Sequence, residues 1–349
     1  MRPVNPRRRA AVIAVSGTTL GAVGLGLLAV PAGAGEAPEL PDVEPQSLVE
    51  SVLRAEPPAL SGTITVDNEL GIPQLGRSSA LAADSGRVYY DGEGRARLAL
   101  ELRGGEHTVV ADGTQVWSYD SGRNSASRLH LPDAAAASPG MHDTPTDPAT
   151  AAQKSLEFAR ETSTVTVDGT ATVADRAAYE LVLTPKPTEK TLLRETRIAV
   201  DAETRMPLRV SVFTHGDTEP VFSLGFSEID FGEQPADLFT FTPPESAEVT
   251  EISPPHDDRA QAPVDDLRVV GDGWDSVMVA RMSDAVRKSD GEEAGELLSN
   301  IGTRVNGDYG SGYLVKTRAA TALLTDDGRI AVGAVPEQVL ADALTRDGR

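Results

Sequence analysis

Between residues 86 and 120 the apolar side chains fall on every second position, and glycine-bearing pairs interrupt them every few residues. A helix cannot use that period. Leu98, Leu100 and Leu102 share one side of a strand with Arg97 and Glu101 on the other, and Trp117 and Tyr119 share a side of a later strand. Asp91-Gly92, Gly104-Gly105 and Asp112-Gly113 supply residues that accept the positive φ of tight hairpin turns. The stretch predicts consecutive antiparallel strands. A sheet that is apolar on one side only must have that side covered by helices or by a ligand.

The same alternation recurs along the chain. Residues 60–67, 123–131 and 163–167 read as strands; Tyr179, Leu181 and Leu183 alternate in the next, and residues 192–201, 208–214 and 221–231 follow. Phe222, Leu224 and Phe226 have one parity while Ile229 and Phe231 have the other, which predicts a bulge or strong bend near Ser227 that would curl the sheet. Residues 70–83 are rich enough in Gly and Ser to be a ragged edge or a loop. Ahead of the first strand, Ser47 and Glu50 fit a capping box for a short helix carrying Leu48, Val49, Val52 and Leu53 and ended by Pro57-Pro58. Residues 132–148 form a flexible surface segment, after which Asp147 and Pro148 begin a helix through about Glu161. Its stripe of Ala152, Leu156 and Ala159, with Phe158 beside it, suits either a lid or an ordinary packing helix.

Residues 253–263 are a polar, Pro-bearing linker, beyond which the pattern becomes α+β. Val277 and Val279 alternate, residues 292–298 read as a short acidic helix, residues 312–333 as two or three strands, and Asp326-Asp327-Gly328 as a hairpin turn. Pro336 opens a final helix with Val339, Leu340, Ala343 and Leu344 on one side.

The first 34 residues read as an export signal: Arg2, Arg7, Arg8 and Arg9, then an uncharged run over residues 10–30, then Ala32-Gly33-Ala34. Cleavage after Ala34 is the expected outcome, and an N-terminal membrane anchor is the alternative, because about 20 residues suffice to cross a bilayer. Residues 35–46 are then a flexible lead. The whole chain has 32 basic and 53 acidic residues, so losing four Arg leaves 28 against 53, a formal charge of about −25. That charge opposes nucleic acid and anionic membrane surfaces as direct partners. The chain has no Cys, which excludes disulfides, thiolate catalysis and anchoring through a lipidated Cys.

Groups for chemistry are scattered. His107, His130, His142, His215 and His256 have no metal-ligand spacing, and no Gly-x-Ser-x-Gly elbow, phosphate loop followed by Lys, or EF-hand loop is present. The sequence therefore implies no catalytic residues, no metal and no cofactor.

The segments GRVYYD, VVADGTQVWSYD, YELVLTPK, IAVDAETRMPLRVSVFT and IDFGEQPADLFTFTPP, in that order, resemble the outer membrane lipoprotein carrier protein superfamily, which includes LolA-type carriers, RseB-type regulators and LppX-like lipid-binding proteins. The resemblance spans about residues 48–249. It implies a mainly β (α+β) fold: a strongly curved antiparallel half-barrel, partly covered by helices, whose apolar concave side receives acyl chains. Carriers of this kind place an Arg-Pro pair after the strand matching GRVYYD. Here Arg95 and Arg97 have no following Pro, so the carriers' latch does not transfer. Gly273-Trp274, the following VMVAR and the late hairpin and helix are similar to the small C-terminal domain of RseB-type regulators.

The organisation expected is a signal (1–34), a lead (35–46), a LolA-like half-barrel domain (47–252), a linker (253–263) and a small α+β domain (264–349). The candidate acyl-binding wall is Leu98, Leu100, Leu102, Trp117, Tyr119, Tyr179, Leu181, Leu183, Phe222, Leu224 and Phe226, closed by Leu156 and Phe158. The same residues could equally be the core of a helix-covered sheet. The expected partner is a lipid or an acylated lipoprotein, outside the cytoplasm. The alternative is an extracytoplasmic regulator that contacts a membrane-bound anti-sigma factor or another signalling protein through residues 264–349.

Overall fold

The computed structural model describes residues 38–71, 83–130, 161–252, 264–282 and 301–347. The segments expected to be an export signal, a helix carrying Leu156 and Phe158, a linker and an acidic helix at 292–298 lie outside the described residues. From Leu40 onward the described residues belong to one compact unit containing two sheets.

Helix α1 (Pro45–Arg54) precedes β1 (Leu60–Asn68), β2 (Ser85–Tyr90), β3 (Ala96–Leu102), β4 (Gly105–Ala111), β5 (Gln115–Asp120) and β6 (Ser125–His130). Then come β7 (Ser163–Val173), β8 (Arg176–Pro185), β9 (Leu193–Asp201), β10 (Pro207–Thr214), β11 (Phe222–Phe231) and β12 (Glu248–Ile252). These twelve strands form one sheet in the order β12-β6-β5-β4-β3-β2-β1-β11-β10-β9-β8-β7, antiparallel except where β12 joins β6 in parallel. The pairing runs from edge to edge without closing.

Turn chemistry sets this register. Gly92, Gly104 and Gly113 have φ of 84, 114 and 94°, as the hairpin reading requires. Aspartates complete the turns: Asp91 Oδ1 accepts the Glu93 and Arg95 amides at 2.8 and 2.9 Å, and Asp112 Oδ1 accepts those of Thr114 and Gln115 at 2.9 Å each. Burial pushes both carboxyls up, but these hydrogen bonds, helped by the Arg95 side chain at Asp91 and those of Gln115 and Thr114 at Asp112, hold both at about 2. In the β9–β10 turn Asp201 is fully buried; it takes Arg176 Nε at 2.5 Å and the Thr204 amide at 2.6 Å. Burial raises its pKa, yet Arg176 and Thr204 bring it below the ordinary carboxylate range.

The sheet is curved by bulges. Thr63 pairs with Glu228 and Ile64 with Phe226, so Ser227 is the extra residue, where the parity switch places it. Further shifts fall between Val167 and Thr170 and between Pro207 and Arg209. As a result β7 approaches β11 although three strands lie between them in the sheet order, and the Arg176 guanidinium sits 4.7 Å from the Phe231 ring centroid.

The second sheet contains β13 (Val264–Val270), β14 (Val277–Met282), β15 (Thr303–Gly307), β16 (Gly310–Lys316), β17 (Thr321–Thr325) and β18 (Arg329–Gly333), in the order β13-β14-β18-β17-β16-β15. Helix α2 (Glu337–Asp347) buries Leu340, Ala343 and Leu344 against Val279, Ala331, Leu323 and Leu314, as the stripe following Pro336 predicts. The two sheets are joined through loops. Trp274 donates its backbone N–H to Glu189 Oε2 at 2.9 Å and its indole N–H to Ser163 Oγ at 2.7 Å. Ala334 O accepts the Leu192 amide, and Arg318 pairs with Asp217 at 3.0 Å.

Candidate functional site

Strand register decides which predicted residues share a face, because neighbours across a ladder point the same way. Leu98 lies opposite Val88 and Val109; Leu100 lies opposite Gly86, which lies opposite Ile64, which in turn lies opposite Phe226. One row further along, Val66, Leu224, Val210, Ile198, Leu181 and Val167 follow one another across six strands. Phe222 and Leu183 belong to the next row, Tyr179 pairs with Val200, and Leu102 ends its strand opposite Gly105. Leu98, Leu100, Leu102, Tyr179, Leu181, Leu183, Phe222, Leu224 and Phe226 therefore occupy one apolar face. The reverse face carries Arg87, Arg97, Glu101, Glu180, Arg197, Arg209 and Glu228.

Coverage of the apolar face changes along the sheet. At the β7–β9 end, α1 inserts Leu48 against Tyr179, Leu181 and Val200, with Val49, Val52, Val165, Val167, Leu183 and Ile198 around them. The Tyr179 hydroxyl donates to Pro41 O at 3.0 Å, which fixes the chain leading into the helix. In mid-sheet the Phe226 ring lies over Gly62, where a Cβ would come within 2.7 Å of it. Beside it Leu224, on a strand flanked on both sides, remains 37 % exposed. Leu98, Leu102 and Phe222 are half-buried.

Trp117 and Tyr119 are on the other face, which corrects their grouping with the leucines. Trp117 lies opposite Val110 and Arg128, and Val110 lies opposite Arg97. Residues 232–247 cross this face as a strap. Phe241 packs against both rings with centroids 5.6 Å away, and Phe239 is buried beneath Arg95, whose guanidinium is 5.2 Å from its ring centroid. Arg128 stacks 5.1 Å from the Trp117 centroid. Trp117 and Tyr119 are thus packed beneath the strap, away from the apolar face. The signal available in the sequence was Phe239-Thr240-Phe241, whose apolar rings must be buried against some part of the sheet; Phe241 takes the Trp117 and Tyr119 side. Leu156 and Phe158 lie outside the described residues, so their place relative to the wall is not described.

Polar groups on the apolar face pair locally. His107 Nε2 and Ser118 Oγ are 3.1 Å apart. Among the described residues no group of three or more His, Asp or Glu could hold a metal ion, and no helix is long and apolar enough to cross a membrane. The charge pairs of Arg176 with Asp201 and of Arg209 with Glu180 brace a turn and the reverse face. What this site offers chemically is apolar surface.

No family model and no curated protein matches the chain. Among solved structures it is similar to MucB in the MucA/MucB complex of Pseudomonas aeruginosa, with 15 % identity over 86 % of this chain and 96 % of that one and a TM-score of 0.45. A LolA superfamily protein from Nitrosomonas europaea matches with 14 % identity over 57 % of this chain and 99 % of its own, TM-score 0.24. The lipoprotein LppX of Mycobacterium tuberculosis matches with 9 % identity over 55 % and 96 %, TM-score 0.30. The open, curved antiparallel sheet with a helix on its apolar face has the half-barrel architecture expected from the sequence.

Proposed function

We propose that this is an exported, non-enzymatic protein that holds the acyl chains of a lipid or a lipoprotein against the apolar face of its large sheet. The observation that carries this reading is Leu224: it sits mid-sheet in an apolar row across six strands, yet is 37 % exposed. An acyl chain gains roughly 0.8 kcal/mol per methylene removed from water, so ten methylenes along such a row give on the order of 8 kcal/mol without any catalytic group. On this reading residues 47–252 form the binding domain, residues 264–349 a second domain, and residues 1–34 direct export. Lipid extraction and mass spectrometry of protein purified from its native host tests it. A stoichiometric acyl species is expected; a lipid-free protein that also fails to take up a fluorescent fatty acid would remove the reading.

A second reading, an extracytoplasmic regulator that contacts a membrane-bound signalling or anti-sigma protein, is favoured by a different surface. On the side of the second sheet away from α2, Val269, Met278 and Val332 pair in one row and are 65, 51 and 37 % exposed. Capture of a membrane signalling protein by the full chain, lost on Met278→Asp, is the expected result. Equal capture by both forms would exclude that row as the contact.

A further inference from the structure

The β9–β10 turn holds a cation in an unusual state. Arg205 adopts φ 63°, in the left-handed region that a bulky side chain rarely enters. Its Nη1 is buried and, among the described residues, is the buried side-chain nitrogen or oxygen that lacks a hydrogen-bond partner. The acids of its own turn are engaged elsewhere: Asp201 accepts Arg176 Nε and Nη2 at 2.5 and 3.0 Å and the amides of Glu203 and Thr204 at 3.1 and 2.6 Å, and Glu203 Oε2 accepts Arg176 Nη2 at 2.8 Å. The Arg205 guanidinium instead lies 5.2 Å from the Tyr179 ring centroid, and the Tyr179 hydroxyl is committed to Pro41 O. A buried donor on a charged group costs free energy until an acceptor reaches it, and backbone strain together with an orphan donor marks places where a ligand completes the structure. Tyr179 is on the apolar face at the end where α1 packs, two residues along its strand from Leu181, which belongs to the row through Leu224.

We propose that Arg205 receives the anionic headgroup, carboxylate or phosphate, of the acyl ligand, making the protein selective for anionic amphiphiles. This assignment rests on the acyl-binding reading: the hydrocarbon follows the apolar rows, and the headgroup meets the guanidinium beside Tyr179. Ring stacking on one face of the guanidinium leaves its in-plane N–H donors for a planar or tetrahedral anion.

The test uses the full chain and displacement of a neutral fluorescent hydrocarbon probe by oleate, by methyl oleate and by acetate. Wild type is expected to bind oleate at least tenfold more tightly than methyl oleate, with acetate displacing nothing. Arg205→Gly should bring that ratio to about one while leaving methyl oleate unchanged, since glycine adopts this φ without strain; Arg205→Lys should retain part of the preference. Unchanged preference in Arg205→Gly, or equal binding of esterified and free oleate by wild type, overturns the headgroup assignment with acyl binding intact. Failure of both oleates to displace the probe from wild type overturns the acyl reading and the assignment together.

Discussion

The helix-bearing face of the second sheet and the apolar face of the first differ in how completely they are filled. Val279, Ala331, Leu323 and Leu314 pair across four strands beneath α2, and each is buried. In the large sheet the row from Val66 to Val167 is longer, and α1 packs at the end formed by Ile198, Leu181 and Val167. Among the described residues, one helix of eleven residues packs on a face four strands wide, whereas one of ten residues packs on a sheet of twelve strands. Alternation marks a face that must leave water; exposure, as at Leu224, marks where the described residues do not cover it.

The largest expected effect tests the filled side. Leu323→Ala removes a side chain with no exposed surface from beneath α2, so it should cost about 2–5 kcal/mol, read as a lowered denaturation midpoint. A loss below about 1 kcal/mol would show that this face is as loosely filled as the other and would dissolve the contrast. Gly62→Ala probes where the large sheet passes from filled to open. Its Cβ would fall 2.7 Å from the Phe226 ring and 2.8 Å from Glu228 O, a backbone atom that cannot step aside, so about 1–3 kcal/mol should be lost. A neutral result would extend the open region across β1.

Acid should act on both sheets, because carboxylates hold turns in each. Asp112, held at about 2 against an unfolded value of about 3.9, contributes stability that is complete above the unfolded value and disappears as pH falls through the folded one. Asp327 in the β17–β18 turn is likewise held low: burial raises it, and the Thr325 hydroxyl and Arg329 more than offset this. Melting temperature should therefore fall between about pH 4 and 2, and Asp112→Asn should be less stable at neutral pH with a flatter decline. An equally steep decline in that variant would move the acid sensitivity elsewhere.

Most of the strand pattern was legible, and so was one irregularity. Phe226 and Ile229 cannot lie on the same face of a regular strand, so a bulge between them follows from parity alone. The final helix was legible for the same reason, since Leu340, Ala343 and Leu344 repeat at helical spacing. Three features were not. Ser47 looks like an N-cap, but α1 starts at Pro45 with Glu44 as N-cap, because the fixed φ of proline suits the first helical position. Strand β12 has no buried residue; its backbone pairing with β6 creates it, and no alternation announces that. Within β5 the sequence shows that Trp117 and Tyr119 share a side, but which side depends on the β3–β4 and β4–β5 registers, set by turn lengths. The binding face was therefore legible strand by strand and not between strands.

The smallest expected effect on stability is the most informative about function. Leu224→Ser exchanges an apolar side chain on the open part of the face for one that water solvates. Since Leu224 is already 37 % exposed, little of the usual cost of truncating a leucine applies, and the change should stay within about 1 kcal/mol. A fully packed leucine on an interior strand would lose several times that. The same substitution places a hydroxyl in the row that an acyl chain would cover, where it has no partner and must be desolvated on binding. Uptake of a fluorescent fatty acid should fall about tenfold or more while the denaturation midpoint barely moves. If stability falls with uptake, Leu224 is core and the face is filled like that of the second sheet; if neither changes, the acyl chain does not pass over this row.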